Sequence, residues 1–155
     1  MGVPSEGAIL PWRSDPMSHE NSQVKPPINQ RVLTLGITPD ALSPDDFPPG
    51  VTTLEELVAM RKRNWAALRA TGIDGEEGYV SLDPDEAEAE LRRLFDGHSF
   101  GVVLIGGGIK NVPEYTVLFE RIVNVLIDLQ PDIRLSFSSH PTNVSEALQR
   151  WLKKS

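Results

Sequence analysis

Four short apolar runs, at residues 31–37, 78–82, 100–105 and 133–137, alternate with segments whose apolar residues recur at helical spacing. Few folds accommodate strand–helix alternation repeated four times. It predicts a parallel sheet joined by right-handed crossovers, with helices on both faces. The run Phe100-Gly-Val-Val-Leu-Ile105 is continuously apolar, as expected of a strand covered on both sides. Four such strands suit a small doubly wound α/β domain with strand order 2-1-3-4. A chain of 155 residues can bury a core of that size without metal or disulfide staples.

The helices carry their own punctuation. Thr53 with Glu56 three residues on forms a capping box ahead of Leu54, Leu57, Val58, Trp65 and Leu68. Gly72 stops that helix. Asp83 caps a second helix, with Pro84 first and Glu86 third, acids in its early turns and Arg92 and Arg93 late. A third helix is expected over 112–130, ending at Pro131, and a last one over 143–153. Residues 1–30 read instead as a flexible arm, broken by Pro4, Pro11, Pro16, Pro26 and Pro27. Met17 offers an alternative start, and Ile9, Leu10 and Trp12 form a small apolar island in the arm. Residues 31–155 form the single domain.

The chain has no cysteine, which removes thiolate chemistry, disulfides and zinc–thiolate sites. Its net charge of −7 gives no basic footprint for nucleic acid or an anionic membrane surface. No segment approaches a membrane span, and no secretory signal is visible, so a cytoplasmic address is expected. No cofactor motif stands out. A dinucleotide fingerprint would follow the first strand, whereas Gly106 and Gly108 follow the third and Asn111 replaces the last glycine. Ile109-Lys110-Asn111 is not the Gly-Lys-Ser/Thr of a P-loop.

In open α/β sheets, ligands bind beyond the carboxyl ends of the strands. That rule gathers residues 36–50, 106–111 and 138–143. The turn Gly106-Gly107-Gly108-Ile109-Lys110-Asn111 brings bare backbone, a helix start and one cation together, a pattern suited to a phosphate or carboxylate. Its plainer reading is a tight turn, with Asn111 and Glu114 as a capping box. Ser138, Ser139 and His140 face it from the fourth strand. His140 is the one weak catalytic candidate, as a proton carrier, although neighbouring loop residues seldom aim at each other as nucleophile and base. Thr142 or Asn143 is expected to cap the last helix, with Glu146 completing a box. The acids Asp83, Asp85, Glu86, Glu88 and Glu90 read as a solvated helix face, and Arg61, Lys62 and Arg63 as surface charges near Glu55 and Glu56. Trp65 and Trp151 are expected in the core, and neither His19 nor His98 has metal-ligand spacing.

Helix 112–130 is apolar around most of its circumference, through Val117, Leu118, Phe119, Ile122, Val123, Val125, Leu126, Ile127 and Leu129. A helix on one sheet face needs only a stripe, so the surplus predicts the arm or a homodimer partner. Three functions follow as alternatives: a domain binding a small anion, a small enzyme on a phosphorylated or carboxylated metabolite with Lys110 as clamp, or a homodimeric interaction module.

Receiver domains and flavodoxins share the alternation but need residues missing here: an acceptor Asp after the third strand, or a Ser/Thr-rich loop after the first. The stretch Val103-Leu-Ile-Gly-Gly-Gly-Ile-Lys-Asn-Val-Pro-Glu, then Leu118-Phe-Glu, then Pro141-Thr-Asn-Val-Ser-Glu-Ala-Leu-Gln-Arg-Trp resembles an uncharacterised family of small bacterial and fungal hypothetical proteins. The resemblance spans residues 76–152 and implies a flavodoxin-like, Rossmann-like three-layer fold. It implies no activity. That family carries a different residue at the position of His140, which argues against catalysis there.

Overall fold

The computed structural model describes residues 22–152. The apolar island of the arm, Met17 and His19 lie outside the described residues, and the last helix, expected over 143–153, ends already at Gln149. Four parallel strands, β1 (Arg31–Ile37), β2 (Asp74–Val80), β3 (Val102–Ile105) and β4 (Arg134–Phe137), are ordered β2-β1-β3-β4. The helices are α1 (Leu54–Ala70), α2 (Pro84–Leu94), α3 (Gly107–Lys110), α4 (Thr116–Leu129) and α5 (Val144–Gln149). The architecture is the expected flavodoxin-like three-layer fold.

Alternate side chains of each strand point to opposite faces, and the two faces build two cores. Leu33, Leu35, Ile37, Val103 and Ile105 meet Ala87 and Leu91 of α2 and Leu118, Ile122 and Leu126 of α4. Val32, Val102 and Leu104 meet Trp65 and Leu68 of α1 and Ala147 and Leu148 of α5. The second core is smaller because α5 has only six residues. Open ground is left beside it, over the carboxyl ends of β1 and β3.

The N-caps hold at the first two helices, although the Glu56 carboxylate reaches back to Thr52 N, at 3.3 Å, and not to Thr53 N as the expected capping box requires. The Thr53 side chain accepts from Glu56 N at 3.1 Å, and Asp83 Oδ2 accepts from Glu86 N at 3.0 Å. Gly72 ends α1 at φ +94°, a left-handed conformation that favours glycine. Arg121 of α4 reaches Asp85 and Glu88 of α2, both at 3.0 Å, so the acids of α2 are partly paired.

Three expectations need correction. First, β2 begins at Asp74, well before residue 78. Its polar Asp-Gly-Glu-Glu start has little strand propensity, but backbone pairing with β1 and an Arg31–Glu76 ion pair at 3.2 Å hold it at the edge. Second, the helix expected over 112–130 is three pieces: α3, a 3₁₀ turn at Pro113–Tyr115, and α4. Val112, before a proline, takes extended angles (φ −102°, ψ 110°) and cannot continue a helix. The Asn111–Glu114 capping box therefore does not form. Third, a 3₁₀ turn at Pro141–Asn143 precedes α5, and the His140 ring, rather than Thr142 or Asn143, accepts the turn's N–H.

The apolar surplus of α4 is met mostly within the chain, by the sheet on one side and α2 on another. Among its large apolar residues only Val117 (67% exposed) and Ile127 (46%) stand in solvent. Trp65 is core, 4% exposed, and Trp151 packs half-buried against the second cluster. Among the described residues, no helix is long and apolar enough to cross a membrane.

Candidate functional site

Strand register builds the floor of a cleft. Gly36 pairs with Tyr79, Leu35 with Ile105, and Ile105 with Phe137. One step further along the chain, Gly36, Gly106 and Ser138 therefore stand abreast at the carboxyl edge. The two glycines leave that edge bare where the strand order reverses, the place where open α/β sheets take ligands. An added Cβ at Gly36 would meet only the Arg61 tip, at 3.7 Å, and one at Gly106 the Leu35 carbonyl, at 3.7 Å. Neither has positive φ. Neither backbone conformation nor tight packing demands glycine at these positions. The space above them is a cleft of about 750 Å³, walled by Leu57, Arg61 and Trp65 of α1, by residues 138–142 with Val144 and Ser145, and by Leu42, Asp45 and Pro48 of the 38–53 segment.

Arg61 is the cation of this cleft that sequence reading missed. Its Nη1 donates to Ile37 O at 2.8 Å, and its guanidinium carbon lies 5.1 Å from the centre of the Tyr79 ring. Tyr79 in turn donates to Glu77 Oε1 at 2.5 Å. Burial, then the hydrogen bond and charge of Glu77, push the Tyr79 phenol up to about 12, although Arg61 pulls the other way. Tyr79 thus stays a neutral donor to Glu77 and a flat platform for Arg61. Arg61 itself pairs with no carboxylate among the described residues. The signal for it was helical spacing: Arg61 follows Leu57 by four residues and precedes Trp65 by four, on the stripe that is buried.

The structure places the expected site residues differently from one another. Gly106, Gly107, Gly108, Asn111, Ser138, Ser139 and His140 all line the cleft. Lys110 does not; its ammonium donates to Asn111 Oδ1 at 2.7 Å. Asn111 Nδ2 donates to Ser139 O at 3.2 Å, tying the β3 and β4 loops together. Gly107 serves that tie, since a Cβ there would lie 2.7 Å from Asn111 Nδ2 and 3.0 Å from Ser139 O. The glycine turn opens only the four-residue α3, whose few aligned peptides give little dipole.

Ser138 is 2% exposed, and its hydroxyl makes no hydrogen bond to any described residue. No sealed side-chain N or O among the described residues lacks a partner, so this hydroxyl reaches the cleft. Ser139 Oγ accepts from Asn143 Nδ2 at 2.9 Å. The His140 Nδ1 accepts from Thr142 N at 3.2 Å, which puts the proton of a neutral ring on Nε2. No hydrogen bond joins that ring to Ser138 or Ser139, so no nucleophile–base pair is assembled.

Fold and cleft together define a doubly wound α/β domain with a ligand-sized crevice at its topological switch point. Set against family models, curated proteins and solved structures, the chain matches none.

Proposed function

We propose that this chain is a small-molecule-binding domain that holds its ligand by one anionic group at Arg61. The observation that carries this reading is a half-buried guanidinium, fixed by Ile37 O and Tyr79, that has no carboxylate partner among the described residues and stands over a bare glycine floor. A charge drawn from water without a counter-ion is costly, and a ligand anion removes that cost. The remaining guanidinium N–H groups offer a fork suited to carboxylate or phosphate. Ser138 supplies a second hydrogen-bonding group further along the floor. The ligand body lies against the half-buried Leu42, Pro48 and Val144, and a cleft of about 750 Å³ suits an ordinary metabolite. The anion expected at the glycine turn thus moves to the neighbouring helix, with Gly106 and Gly108 giving clearance and not charge.

Thermal melts against small carboxylates and phosphates test the reading. A ligand at a hundred times its dissociation constant adds about 2.7 kcal/mol. That gain should vanish in Arg61→Met and persist in Lys110→Ala. Stabilisation that survives Arg61→Met, or is lost in Lys110→Ala, refutes the assignment.

A further inference from the structure

The charges around the cleft divide the anions Arg61 could hold. Besides Arg61, the charged residues lining it are Asp45, Asp46 and Glu77, all acidic. One Glu77 oxygen accepts the Tyr79 hydroxyl, and Asp46 accepts from the backbone and side chain of Ser43, at 3.0 and 3.1 Å. These bonds hold both carboxylates in place but leave their charge. Asp45 makes no hydrogen bond to a described residue and stands exposed at the mouth. Lys110, the cation that a phosphate would need as a second partner, is turned away onto Asn111.

We propose that the cleft selects small monocarboxylates and rejects phosphate esters, because one fixed guanidinium shares a single crevice with three carboxylates, two of them held in place. This inference rests on the ligand-binding reading above and names its substrate class. A guanidinium neutralises one carboxylate and matches its two oxygens. A phosphate monoester near neutral pH carries about 1.5 to 2 charges. Its surplus would sit unpaired in a partly desolvated crevice, facing Glu77 and the acidic mouth, where like charges interact more strongly than in water. The half-buried apolar lining of Leu42, Pro48 and Val144 favours a carboxylate with a hydrocarbon or aromatic body.

The experiment uses probes matched in shape: phenylacetate against phenyl phosphate, and hexanoate against butyl phosphate. Each is titrated into the full chain and followed by amide chemical shifts. Each carboxylate should bind at least tenfold more tightly than its phosphate mate and lose at least tenfold in Arg61→Met. Asp45→Asn removes a charge that bonds no described residue, so it should narrow the gap by strengthening the phosphates while the fold stays intact. Phosphates that bind as tightly as carboxylates, and depend on Arg61, overturn the carboxylate class but leave the ligand-binding reading standing. Binding that is insensitive to Arg61→Met, or absent for all four probes, overturns both.

Discussion

Ser136 and Ser138 stand two residues apart on the same side of β4 and its extension, yet alanine at each should move stability in opposite directions. Ser136 is fully buried, and its hydroxyl donates to Ala147 O of α5 at 2.7 Å. Ser138 is as nearly buried, and its hydroxyl bonds no described residue. Ser136→Ala leaves the Ala147 carbonyl without that donor, at a cost of about 1–2 kcal/mol. Burying a hydroxyl without a partner costs about 1–3 kcal/mol, and Ser138 still reaches the cleft, so Ser138→Ala should gain about 1 kcal/mol. With an unfolding entropy of about 2.1 cal/mol/K per residue, each kcal/mol moves the Tm of a 155-residue chain by about 3 °C. Calorimetry and urea melts of the ligand-free protein should show a Tm about 3–6 °C lower for Ser136→Ala and about 3 °C higher for Ser138→Ala. A Ser138→Ala protein as destabilised as Ser136→Ala would refute the reasoning. The hydroxyl would then be bonded in the native state and belong to the fold, not to the cleft.

Other perturbations are equally specific. Gly75→Ala places a Cβ 1.9 Å from Val32 O, inside the β1–β2 ladder, and should cost more than about 4 kcal/mol in a urea melt. Gly108→Ala meets no atom within 4 Å, in a helical turn, and should stabilise by about 0.5–1 kcal/mol in the same assay. Burial and Glu77 raise Tyr79 from 10.0 to about 12, so its share of stability is present below pH 10 and lost as pH rises through about 12. Ultraviolet titration should show Glu77→Gln moving that phenol back toward 10. Hydrogen bonds and charge from Arg92, then from Arg121, hold the Glu88 carboxyl below its ordinary 4.5. The stability it lends is therefore present above that value and lost as pH falls through the lowered one, and carbon-detected NMR titration should find the depression reduced, with the Arg121 share remaining, in Arg92→Ala.

Strand order and the first two helix caps were legible because both are written locally. Apolar runs alternate with helical periodicity, and Thr53, Asp83 and Pro84 carry their own hydrogen-bond logic. The long third helix was misread although Val112 before Pro113 held the warning. Conversely, Gly107-Gly108 is helical against propensity, because burial of Ile109 and the Asn111–Ser139 bond act across loops. The location of the site followed from topology alone. Its charge did not, since Arg61 sits in the run Arg61-Lys62-Arg63, which resembles a solvated surface, and only its phase relative to Leu57 and Trp65 turns it inward. That Lys110 would be spent on its neighbour is a matter of side-chain geometry that spacing does not encode.

The Asn111–Ser139 bond makes the cleft asymmetric in what it can tolerate. Together with Arg150, which donates to Phe137 O at 3.0 Å, it clamps the β3 and β4 loops into one stiff jaw. The opposing jaw is the 38–53 segment, two 3₁₀ turns and four prolines whose backbone bonds stay largely within the segment. A ligand of different length has to be met there. Lengthening a surface loop raises its closure cost only with the logarithm of its length. On the proposed binding reading, the anchoring charge belongs to the scaffold and the measure of ligand size to a part that can be exchanged, so ligand preference could drift while the fold stands still.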